Sequence, residues 1–176
     1  MDIPKSIIDI LFYLAPSLLV FITAYMLIKS FIDKEHKIKL IETKMMMQKE
    51  MLPLRLQAYE RLALFLERIS PNVMLVNQHE PGLSVSEFQQ KLLETLRNEF
   101  EHNFSQQIYV SESAWNSTRR AKEEVARLIN ISAASLEKEA PAYQLSKKMF
   151  DSMLENEDFP THRALVMVKA EVAQLF

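Results

Sequence analysis

Apolar and polar positions fall into two regimes along this chain. From Ile10 to Ile28 the sequence runs ILFYLAPSLLVFITAYMLI, 19 residues without a charge, bounded by Asp9 and Lys29. As a helix this stretch spans ~28 Å at 1.5 Å per residue, close to the hydrocarbon thickness of a bilayer. Tyr13 and Tyr25 stand near its ends, where amphipathic rings suit an interface. Beyond it the apolar residues become periodic. Residues 29–52 hold no glycine and no proline, which predicts a helical stalk continuing from the span. Every seventh residue from Phe31 is apolar or aromatic (Phe31, Ile38, Met45, Leu52, Tyr59, Leu66), the period of a coiled-coil seam. The companion positions Lys34, Ile41, Gln48 and Arg55 are mostly polar. Two readings of the stalk therefore stand: a parallel homodimer seam, or one amphipathic helix packing on its own domain or near headgroups.

Pro53 predicts a break, after which helical spacing recurs. Leu54, Ala58, Leu62, Phe65, Leu66 and Ile69 share one face, and Ser70-Pro71 closes that helix. Met74-Leu75-Val76 reads as a further helical turn or a packed loop, and His79-Glu80-Pro81-Gly82 as a turn. Ser84 and Glu87 match a capping box ahead of Val85, Phe88, Leu92, Leu96, Phe100 and Phe104. Ser111 or Ser113 caps a helix carrying Trp115, Ala121, Val125, Leu128, Ile129 and Leu136. Tyr143, Met149, Phe150, Met153 and Leu154 suggest another helix, Glu155–Asp158 a connector, and Pro160 the first turn of a last one. The expected fold is all-α. A short extracytoplasmic N-terminus (1–9) precedes a transmembrane helix (10–28), a stalk (29–52) and a bundle of about five helices over 54–176.

Composition sharpens this picture mainly by exclusion. The chain has 176 residues and one glycine, Gly82, so a Walker loop or a dinucleotide-binding glycine fingerprint is impossible. Cysteine is absent, which removes disulfides, thiolate metal sites and cysteine nucleophiles. Net charge is −2, unlike a broadly basic nucleic-acid binder. Only Lys5 precedes the span, whereas Lys29, Lys34, Lys37, Lys39 and Lys44 follow it. The positive-inside rule then places the N-terminus outside and the C-terminal domain in the cytoplasm. A cleaved signal peptide is disfavoured by the weak n-region and by Met26-Leu27-Ile28 where small residues would stand. A buried soluble helix seldom needs so long an uncharged run.

No residue set carries recognisable chemistry, so no catalytic, cofactor-binding or metal-binding residue is assigned. His36, His79, His102 and His162 form no H-E-x-x-H. Glu99 and His102 have the spacing of a di-iron ligand pair but lack the second such pair. Met45, Met46, Met47 and Met51 read as packing residues rather than a soft-metal site. Arg119, Arg120 and Lys122 are followed at once by Glu123 and Glu124, a mixed-charge face. Trp115 reads as core.

The run LRLQAYERLALFLERISP, with RRAKEEVARLIN at residues 119–130 and the preceding span, resembles a family of small uncharacterised bacterial membrane proteins. The resemblance covers most of the chain. It implies an inner-membrane anchor and a cytoplasmic helical domain, and supplies neither catalytic residues nor a substrate. The functional expectation is a non-enzymatic interaction or scaffold module on the membrane, with no cofactor and no nucleic-acid partner. Its partners would be the bilayer, through residues 10–28, and a protein or a second copy, through the stalk. The alternative is a membrane-tethered sensory or regulatory bundle binding a small ligand between its helices.

Overall fold

The computed structural model describes residues 5–154 and 159–175, with side chains from residue 13 onward. The 155–158 connector expected from the sequence lies outside the described residues. Among the described residues six α-helices follow one another: α1 (Lys5–Arg68), α2 (Pro71–Asn77), α3 (Val85–His102), α4 (Glu112–Ala134), α5 (Tyr143–Leu154) and α6 (Pro160–Ala173). A short 3-10 helix, Phe104–Ile108, joins α3 to α4. No strand occurs among the described residues; Ser84 and Pro141 form an isolated antiparallel bridge. The chain divides into two compact units, residues 1–51 and 52–176.

The first unit is helical throughout its described length, and its side chains from Tyr13 to Glu50 are exposed. Polar side chains inside its apolar run turn back on their own backbone. Ser17 Oγ donates to the Leu14 carbonyl at 2.8 Å, and Thr23 Oγ1 to that of Val20 at 2.9 Å.

The expected break at Pro53 does not occur: α1 runs through it to Arg68. A proline removes one backbone donor and crowds the preceding turn, a local cost of about 3 kcal/mol in a helix interior. Lys49-Glu50-Met51-Leu52 ahead of it are good helix formers and offer no turn residue. Behind it, Ala58, Tyr59, Leu62, Phe65, Leu66 and Ile69 are held in a core, which fixes the helix there. The seven-residue stripe therefore changes role along its length: Tyr59 and Leu66 are 2% and 1% exposed within the second unit.

In that unit the core draws on every helix. Phe88, Leu92 and Leu96 of α3, Val125 and Ile129 of α4, Leu145 and Met149 of α5, and Ala164 and Val168 of α6 belong to one buried cluster. Each set keeps three- or four-residue steps, which put one apolar stripe per helix against the interior. The segment 74–76 is helical: Met74 and Leu75 are buried in α2, while Val76 faces out. Ser84 caps α3 as a full capping box with Glu87, and Ser111 caps α4 by accepting from the Ala114 amide at 3.0 Å. Ile108 closes the 3-10 helix rather than starting an extended run. Gly82 takes φ +92°, with nothing within 4 Å of where a Cβ would stand. Backbone conformation alone therefore explains glycine at that turn.

Candidate functional site

In the second unit, α1 and α3 border a solvent-open groove of about 480 Å³. Phe65 lies along it, with Arg61, Arg68, Glu99 and His102 among its walls. Arg68 Nη1 meets Glu99 Oε2 at 3.3 Å. His102 Nδ1 sits 3.2 Å from the Asn98 carbonyl, and Asn103 Nδ2 donates to the Glu99 carbonyl at 2.8 Å. Glu99 and His102 thus share a groove, but each is committed elsewhere, to an arginine and to the backbone. No group of three His, Cys, Asp or Glu residues converges as a metal site among the described residues.

A second hollow, of about 620 Å³, lies around the Gly82 turn and is walled by His79, Glu80, Glu139 and Tyr143. Lys91 Nζ approaches Glu80 Oε2 at 2.8 Å, and its hydrogen bond and charge hold the Glu80 carboxyl below its usual value. Glu87 is also held below its usual value, by hydrogen bonds from the Ser84 amide and hydroxyl. Both shifts belong to surface pairing and helix capping.

The basic residues flagged in the sequence have different surroundings. Lys122 Nζ stands 5.0 Å from the centroid of the Phe100 ring, a cation–π contact. Glu124 pairs with Arg163 at 3.6 Å, and Arg119 and Arg120 are exposed. Trp115 is buried, stacked on Phe100 at 5.3 Å and edge-on to Phe104 at 6.0 Å. It belongs to the core, as its place in the apolar stripe predicts. His36 and His162 are exposed.

One constellation escaped the sequence reading. Tyr59 Oη donates to Glu171 Oε2 at 2.9 Å and accepts from the Ser111 amide at 3.2 Å. Ser111 Oγ lies 2.7 Å from both carboxylate oxygens of Glu171. Arg55 Nε donates to the Tyr109 carbonyl at 3.2 Å. The Glu171 carboxylate of α6 is thereby seated at the N-cap of α4, where the helix dipole favours negative charge. The local signal was a tyrosine on an otherwise apolar stripe, since a buried Tyr hydroxyl requires a partner. This node anchors α1 within its unit.

The first unit carries an exposed apolar run. Among the described side chains, Leu18, Leu19, Val20, Phe21, Met26 and Leu27 are all more than half exposed. The helix is long and apolar enough to cross a membrane. Residues 5–175 match DUF7935, a family of unknown function. No curated protein and no solved structure matches the chain.

Proposed function

The chain belongs to the DUF7935 family, and from that premise we propose that it is a membrane-anchored, non-enzymatic helical interaction module. One observation carries the reading: an uncharged run of 19 residues, 10–28, whose described side chains all lie on the outside of a helix. Such a surface is stable in lipid and strongly unfavourable in water at ~25 cal/mol per Å². Ser17 and Thr23 support it, since each satisfies its hydroxyl on its own helix, as hydrocarbon demands. The five lysines after the run and the one before it orient the anchor with the 52–176 unit on the cytoplasmic face, in a bacterium the inner membrane. The anchor confines that unit to two dimensions and raises its effective concentration toward membrane partners.

Alkaline carbonate extraction of cell membranes tests the anchor. The chain stays in the pellet through carbonate and leaves it only with detergent. Recovery in the supernatant after detergent-free lysis overturns the proposal. In-cell crosslinking from the 52–176 surface then identifies what the module holds, and recovery of the bare monomer alone counts against an interaction role.

A further inference from the structure

The stalk side chains between the charge-free run and the second unit are exposed and apolar in a definite order. Phe31, Ile38, Ile41 and Met45 are 70%, 55%, 57% and 55% exposed. With Phe31, Ile38 and Met45 at position a of a heptad, Ile41 falls at d. Glu35 and Glu42 then fall at e, and Lys37 and Lys44 at g. Glu35 is engaged by Lys39 of its own helix at 2.9 Å. Lys37, Glu42 and Lys44 make no ion pair within the chain among the described residues.

We propose that residues 31–45 pair in parallel with the same residues of a second copy of this chain. In a parallel pair each g residue faces the e residue five positions on in the other helix. Lys37 then meets Glu42 of the partner subunit, twice per dimer by symmetry. An antiparallel pair sets e against e and g against g, which brings Glu to Glu and Lys to Lys. Within residues 31–45 the charge pattern therefore favours a second copy of this chain, in the parallel direction. Polar residues bound the seam. Lys34 and Gln48 occupy d, where they cost stability and fix register, and Lys44 against Lys49 of the partner subunit is repulsive. Past Met45 the stripe holds only the half-buried Leu52 before Tyr59 and Leu66, which are spent in the core of the second unit. So short a seam is weak in free solution. The inference rests on the anchored reading, because two chains entering one membrane from the same side are already parallel and concentrated.

The chain has no cysteine, so single cysteines report without background. Full-length I38C, I41C, M45C, L40C and T43C are oxidised in native membranes, and the disulfide-linked dimer is measured. The seam positions Ile38, Ile41 and Met45 crosslink roughly tenfold more than Leu40 and Thr43, which face away, because only they bring Cβ atoms within bonding range. Adding K37E to I38C lowers its crosslinking severalfold, and adding E42K as well restores it. Equal crosslinking at all five positions, a maximum at Leu40, or indifference to K37E overturns the parallel seam. Carbonate extraction of the same samples separates the two readings. A pelleted chain that does not crosslink refutes the pairing alone, whereas a soluble chain refutes the anchor.

Discussion

Replacing Glu171 with alanine tests how the 52–176 unit is tied together. The carboxylate accepts from Tyr59 Oη at 2.9 Å and from Ser111 Oγ at 2.7 Å. Hydrogen bonds to a charged group contribute about 1.5–3 kcal/mol each, and the half-exposed position of Glu171 argues for the lower end. Ser111 can turn to solvent, but Tyr59 is 2% exposed and its hydroxyl proton would lose its acceptor in the interior. We expect a loss of about 2–3 kcal/mol for Glu171→Ala. Tyr59→Phe leaves only half-buried groups behind and costs about 1–1.5 kcal/mol. The double variant loses the shared bond once, so the two effects fall short of additivity by about 1 kcal/mol. Glu171→Gln keeps an acceptor and isolates the contribution of the charge. Trp115, the sole tryptophan, lies in the same unit, so its fluorescence in a thermal melt of the full chain in mild detergent reads this unit alone. At about 4 °C per kcal/mol for a domain of this size, Glu171→Ala lowers the midpoint by roughly 8–12 °C. A midpoint indistinguishable from the parent, or strict additivity with Tyr59→Phe, refutes the reasoning.

Four further outcomes follow from the same structure. Leu92 is 0% exposed, so Leu92→Ala costs about 2–5 kcal/mol in the Trp115 melt, whereas Val76→Ala, at a position 69% exposed, stays within about 0.5 kcal/mol. Ser84→Ala removes the α3 cap and costs about 1 kcal/mol by the same measurement. The folded pKa of Glu87 lies below its usual 4.5, so its contribution is complete above that pH and fades as pH falls through the lowered value. Glu87→Gln, which still accepts but no longer titrates, flattens this acid limb in melts recorded from pH 6 downward, and an unchanged limb contradicts the capping account. Leu19→Arg puts a charge at the centre of the apolar run, where insertion costs about 2.5–3.5 kcal/mol, so a larger share of the chain appears in the carbonate supernatant. No change in that partition argues against the anchor.

Local chemistry was legible in the sequence, and distant chemistry was not. The Ser84–Glu87 box could be read because donor and acceptor are three residues apart and each turn of the motif demands the other. The stripes of α3 and α4, with Trp115 in the core, followed from periodicity alone. The Tyr59–Glu171 bond joins residues 112 positions apart, and no pattern announces such a pairing. Pro53 shows the opposite case: the local rule predicts a break, but the packing of Tyr59, Leu62 and Phe65 a turn or more away decides that the helix goes on. The segment 74–76 was ambiguous because α2 has only seven residues, too few to display a helical period. Among the candidate residues, Glu99 and His102 do come to one groove, but spacing could not show that Arg68 would claim the carboxylate.

The pairing around the Gly82 turn bears on how the domain reaches its native state. The Val85 amide donates to the Ala140 carbonyl at 2.8 Å, the Ser86 amide to Lys138 at 3.1 Å, and the Ala142 amide to Leu83 at 3.0 Å. These bonds close a ring that contains all of α3 and α4, so their closure entropy is low only once both helices are formed and docked. We therefore expect this clasp to form late. Its three amides should share one opening free energy in native-state hydrogen exchange, and weakening it should speed unfolding while leaving the refolding rate nearly unaltered.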